Sequence, residues 1–135
     1  MKPDPRQTAR IFEKLIRVAP ELKQTTEYAK SRVSGSMDLN LDVLVQSNSR
    51  MRIALSHYYK HPSGDLIADP DMEIAVNFDD RVAEALTYQD SYTYQEALPA
   101  GADCPDPEVA RQLNEFLEIW LDNLFEQGHV LPKGR

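Results

Sequence analysis

Cysteine is almost missing from this chain: Cys104 stands alone among 135 residues, which excludes an internal disulfide and the multi-cysteine zinc sites. Glycine is scarce, at five residues, too few for a collagen-like or flexible-linker composition. No stretch approaches the roughly 20 apolar residues that span a bilayer. The opening Met1-Lys2-Pro3-Asp4-Pro5 has no apolar run after its positive charge, so the expectation is a chain without a secretory signal, cytoplasmic and with no membrane partner. Phosphate-cradling glycine loops, G-x-S-x-G, H-E-x-x-H and C-x-x-C are all absent, which points away from an enzyme and implies no cofactor. Cys104 sits between Asp103 and Asp106, and nearby negative charge suppresses thiolate formation, so it is a poor nucleophile.

What is present fits one packed domain. The hydrophobic set makes up 41% of the chain and 11 residues are aromatic, too many for a disordered acidic tail, and the length suits a single core without staples. The net charge of −7 is unevenly spread. Residues 1 to 64 carry eleven bases and six acids, whereas residues 65 to 108 carry twelve acids and a single base, Arg81. Two outcomes are open: the basic first half neutralises the acidic middle within the fold or both are simply solvated, or the acidic middle meets a basic partner.

Asp4-Pro5 is a helix start, an N-cap followed by a residue with preset φ, and Ile11, Phe12, Leu15, Ile16 and Ala19 recur at helical spacing. Pro20 closes that helix, and Glu21 to Lys30 reads as further polar helical turn. From Met37 the period changes to two. Leu39, Leu41, Val43 and Val45 alternate with polar residues, then Met51, Ile53, Leu55, His57 and Tyr59, then Met72, Ile74, Val76 and Phe78. A fourth strand is expected from Val82 to about Tyr94, with looser alternation. Asp106-Pro107 repeats the first helix's start, and Val109, Leu113, Phe116, Leu117, Trp120, Leu121 and Leu124 form one apolar stripe ending before Gly128. The expected fold is α+β: an N-terminal helix in a helical segment 1–35, a four-stranded antiparallel meander over 36–98, and an amphipathic helix over 106–128 packed on the sheet.

The runs Met37-Asp38-Leu39, Arg52 to Tyr59, Gly64-Asp65-Leu66, Asp69 to Glu73, Ala83 to Gln89 and Tyr94-Gln95-Glu96, with the closing helix Leu113 to Gly128, resemble an uncharacterised bacterial family, domain of unknown function 6908. The closing helix is more loosely similar to domain of unknown function 1249. The resemblance covers about residues 36 to 128 and implies a small bacterial protein of the kind often encoded on mobile elements. It implies no chemistry.

The possible sites therefore stand on their own residues. His57, His61 and Asp65 are the only candidates for a metal or a metal-assisted hydrolase. Yet His57 shares the apolar face with Ile53 and Leu55, and the i, i+4 imidazoles would lie roughly 13 Å apart along a strand. The acids Asp65, Asp69 and Asp71 lack calcium-loop spacing and read as turn residues, as do Asp79 and Asp80 beside Arg81. Five of six tyrosines fall between Tyr58 and Tyr94, ordinary for strands and equally suited to a protein-binding surface. The expected site is an acidic, tyrosine-bearing surface of Asp65, Asp69, Asp71, Asp79, Asp80, Asp90, Tyr58 and Tyr92 that binds a protein with a basic surface. A mobile-element inhibitor acting by acidic mimicry is a narrower version, and a homodimer is a further expectation. Direct nucleic-acid binding by the sheet is disfavoured because its charge repels phosphate. Arg6, Arg10, Lys14 and Arg17 share one face of the first helix and are expected to face solvent or the acidic middle.

Overall fold

A computed structural model describes residues 4–60 and 62–135, with the side chains of Tyr59, Lys60 and Ala68 left out. Helix α1 runs Pro5–Val18, begun by Asp4, whose carboxylate accepts the Arg6 N–H at 2.9 Å. A short 3-10 turn, Leu22–Gln24, leads into strand β1, Tyr28–Ser31. Strands β2 (Leu39–Gln46), β3 (Arg50–Lys60) and β4 (Leu66–Asn77) follow, then β5 (Val82–Ala85), β6 (Thr87–Gln89) and β7 (Tyr94–Glu96), and finally helix α2, Pro107–Glu126. All strands belong to one antiparallel sheet in the order β1-β2-β3-β4-β6-β7, with β5 pairing the far half of β4.

The α+β architecture and both helices agree with the expectation, but the sheet has seven strands where four were expected. One addition is β1. Residues expected to form helical turn instead pair with β2, Tyr28 opposite Asp42 and Ser31 opposite Leu39. The outer edge of β1 is occupied as well: the Arg135 N–H donates to the Tyr28 carbonyl at 2.9 Å, and the Arg135 main-chain oxygen accepts from the N–H groups of Thr26, Glu27 and Tyr28. Gly134 makes this approach feasible, since a Cβ there would stand 1.9 Å from the Tyr28 carbonyl oxygen. The other additions come from the fourth strand, which breaks at Leu86 and again at the Asp90 turn into β5, β6 and β7.

β4 also starts earlier than expected and passes through Pro70, which lacks the N–H a central strand needs. The ladder between β3 and β4 skips from Ser56–Asp71 to Tyr58–Ala68, so the extra residue is on β4, where Asp69 and Pro70 together oppose the single β3 residue His57, and this bulge asks no ladder bond of the proline.

One face of the sheet is apolar: Leu39, Leu41, Met51, Ile53, Leu55, Met72, Ile74 and Val76 are all buried. Both helices cover that face, through Ile11, Phe12, Leu15 and Val18 of α1 and Leu113, Leu117, Leu121 and Leu124 of α2. The helices run in the same direction, as their ion pairs show: Arg10 and Lys14 bind Glu118 at 2.8 and 2.9 Å, Lys14 and Arg17 bind Asp122 at 2.8 and 3.1 Å. The basic face of α1 thus meets the acids of α2 instead of the acidic middle of the chain, with Arg6, Arg10 and Arg17 also exposed to solvent as expected. Asn114, buried on α2, accepts the Ala85 N–H at 2.7 Å and so satisfies the free edge of β5. Among the described residues no helix is long and apolar enough to cross a membrane.

Candidate binding surface

With both helices on one side, the opposite face of the sheet is left without a covering layer. Its side chains follow from register. Asn40, Ser56, Asp71, Gln89 and Tyr94 form one row across β2, β3, β4, β6 and β7, and Tyr28, Asp42, Ala54 and Glu73 form the next, across β1 to β4. Carboxylates therefore stand in two adjacent rows at the middle of the face.

Only some of them are partnered. Arg52 holds Glu73, with Nε at 2.8 Å and Nη2 at 2.7 Å. The Tyr58 hydroxyl donates to Asp71 Oδ2 at 2.9 Å and the Tyr28 hydroxyl to Asn40 Oδ1 at 2.8 Å. Asp42 has neither a hydrogen bond nor an ion pair to any described residue. Burial raises the carboxyls of Asp42 and Asp71 above the ordinary carboxylate range. For Asp71 the charges of Glu73 and Asp42 push the same way, against the Tyr58 hydrogen bond. Glu84, on β5, is raised by burial too. Burial of the Tyr58 phenol and its bond to Asp71 raise that group in turn. Half-burial and mutual repulsion both disfavour the ionised form of carboxylates gathered on such a surface.

At the β5 end of this face a trough of about 780 Å³ opens, with Val45, Ala75 and Val82 as its apolar lining and Arg52 and Glu84 at its sides. It continues over the β5 edge to Pro5 and Thr8 at the start of α1. Apolar floor and acidic ground are thus neighbours on one sheet face.

Of the residues expected to form the site, the structure brings Tyr58 and Asp71 together on this face. The others lie in turns or, for Asp69, at the bulge of β4. Asp65 is exposed next to Ser63, and Asp69 is exposed before the cis peptide to Pro70. Asp90 closes the β6–β7 turn, accepting the Tyr92 and Thr93 N–H groups at 2.8 Å and the Tyr88 hydroxyl at 2.7 Å. These bonds hold its carboxyl low, the mark of a turn-building residue. Asp79 and Asp80 sit in the β4–β5 turn, where Asp80 exchanges hydrogen bonds with Asn77. Arg81, next to them in sequence, pairs with Glu13 at 2.7 Å and lies over the Phe12 ring. Since Asp65 precedes β4 and Asp79 follows it, these acids are about 36 Å apart at the usual strand rise and form no single patch. Tyr92 projects from a turn, 92% exposed.

The metal candidates are also separated. His57 is buried on the helix side of the sheet, its Nδ1 donating to the Asp38 carbonyl at 2.8 Å and its ring packed on Trp120. Asp65 is exposed in the turn beyond, and His61 lies outside the described residues. Among the described residues no three His, Cys, Asp or Glu side chains are placed to hold a metal ion. Cys104 is exposed and free.

Sequence reasoning missed Asp42, Glu73, Glu84, Tyr28 and Tyr94. The alternation placed the first three at polar strand positions, and reading those positions together across strands was the signal available.

The family described as Domain of unknown function (DUF6908) matches residues 10–130. The chain belongs to that family. The match extends beyond the sheet and closing helix into α1, so the ion-paired helix layer lies within the shared unit. No curated protein and no solved structure matches the chain.

Proposed function

We propose that this member of the family is a non-enzymatic interaction domain that docks a protein of basic surface on the uncovered face of its sheet. The observation that carries this reading is the cluster at the middle of that face: among Asp42, Asp71 and Glu73 the one ion pair is Arg52 to Glu73, while Lys30, at the β1 end of the Asp71 row, pairs with Asp38 at 3.7 Å. Charge complementarity therefore asks for a cationic occupant. The tyrosines around the acids, Tyr28, Tyr58 and Tyr94, are 36%, 38% and 54% exposed, and such rings supply contact area at small cost in side-chain entropy. The trough beside them adds an apolar hold.

The sheet face is preferred over the loop acids as the docking site, because the loops hold their acids at opposite ends of β4 and use Asp80 and Asp90 to build turns. The same scatter gives acidic mimicry no evenly spaced row of charges to present. Burial of His57 against Trp120, away from Asp65, removes the support for a metal-assisted hydrolase.

The test is a displayed library of random peptides panned against the full chain. The expected result is enrichment of Lys- and Arg-rich sequences, binding that weakens as salt is raised, and loss of that binding in the triple variant Asp42→Asn, Asp71→Asn, Glu73→Gln. Enrichment of uncharged sequences, or binding that survives the triple substitution, overturns the reading.

A further inference from the structure

We propose that Asp42 and Asp71, with Tyr58 and Ser56, form the seat for one arginine side chain of the docked partner. This rests on the sheet-face reading above and narrows it to a single anchoring group.

Two independent features mark the place. Asp42 is a half-buried carboxylate with no described hydrogen bond or counter-ion, although Glu73 stands in its own row and Asp71 in the next, both on β4. Ser56 belongs to the same uncovered face, opposite Asn40 on one side and Asp71 on the other, yet it is 0% exposed and its Oγ makes no hydrogen bond of satisfactory geometry. It does interact with the Tyr58 phenol, which itself donates to Asp71, and the Ser56 hydroxyl holds that phenol down against its burial. A buried hydroxyl whose acceptor side is unfilled, in the midst of carboxylates, suits an added donor.

The spacing selects the cation. Asp42 on β2 and Asp71 on β4 flank β3, so their backbones stand about 9.6 Å apart, offset by one row. Both side chains stand on the same face, so a group docked over β3 meets the two carboxylates from either side. A guanidinium carries N–H donors on more than one edge and can serve both carboxylates at once, and its flat face can lie on the Tyr58 ring. An ammonium is a compact point charge and satisfies one side at a time. The chain's own Arg52 is engaged by Glu73. A metal ion does not suit the place, for no three ligating side chains converge among the described residues.

The experiment is amide NMR of the full chain titrated with N-acetyl-arginine methylamide and, separately, N-acetyl-lysine methylamide. The expected shifts concentrate at Asp42, Ser56, Tyr58 and Asp71, with the arginine compound binding about tenfold more tightly, the difference expected when a two-edged donor replaces a point charge. Asp42→Asn should abolish that preference while the spectrum away from the face stays unchanged; Asp71→Asn serves as the second variant should the first fail to fold. Equal response to the two compounds, or shifts confined to other acids of the face, overturns the arginine seat and leaves the docking face standing. No shift anywhere on the face overturns both.

Discussion

Asp42 illustrates how one residue can be unhelpful to folding and informative about function. Desolvating a carboxylate without a partner costs free energy, and the like charges of Asp71 and Glu73 are neighbours on the same face. No described residue pairs with the charge at this position, which is why the proposed cationic partner is placed there. His129 presents the opposite arrangement, a titratable group wholly inside. It is 0% exposed, bonded through Nδ1 to the Ser31 hydroxyl at 2.9 Å, with the His57 ring 5.8 Å away. Burial, and then the His57 charge, push its imidazole below the ordinary histidine value, with the Met37 backbone and Asp38 opposing. Above pH 6.5 the ring is neutral in both folded and unfolded chains and contributes no pH dependence. Below 6.5 the unfolded chain takes up the proton first, so stability falls with a limiting slope of about 1.4 kcal/mol per pH unit until the folded value is reached. Urea unfolding at pH 7.5 and 5.5 should show this loss in the natural protein and a smaller one in His129→Gln. An equal loss in both proteins would remove His129 as the cause.

The elements divide by how local their causes are. Both helices were legible, because Asp-Pro starts and apolar residues at helical spacing are properties of consecutive residues, and Asp4 and Asp106 do cap them. β1 was not legible: in Tyr28–Ser31 only Ala29 and Ser31 are buried, and the segment is a strand because β2 lies on one side of it and Arg135 on the other. Those partners are distant in sequence. The break at Leu86 was equally hidden, since its N–H bonds the Glu73 carbonyl across the sheet. The site was half legible for the same reason. Tyr58 and Asp71 were named from tyrosine content and acid clustering, whereas Asp42 and Glu73 looked like ordinary polar positions of separate strands until register set them in one row. Asn114 is a further contact that no pattern announces, a polar side chain on an apolar stripe that serves the β5 edge. Asn114→Ala leaves the buried Ala85 N–H without an acceptor and should lower stability by about 1–3 kcal/mol, readable in chemical denaturation. Loss near zero would mean that the β5 edge finds water or another acceptor.

Over the whole molecule, the charge imbalance along the chain resolves into two separate arrangements. The bases of α1 are taken by Glu118 and Asp122, a partly exposed ladder that locks the helix layer. Such pairs contribute at most about 1 kcal/mol each, so their weight is in fixing the helices' relative register. The acidic middle receives little in return. Among the described residues, Glu73 and Glu108 alone of its twelve acids make ion pairs, the latter to Arg111 one helical turn away. The remaining charge is split between turns and the uncovered face, and only on the face is it gathered beside tyrosines and an apolar trough. The most direct test is therefore one of location at constant charge. A basic peptide selected by the library would be measured by calorimetry against two variants that each lose three negative charges, Asp42→Asn, Asp71→Asn, Glu73→Gln on the face and Asp65→Asn, Asp79→Asn, Asp103→Asn in the loops. The face variant should lose binding while the loop variant keeps most of it; equal losses would show that the peptide follows net charge alone and contradict a docking surface on the sheet.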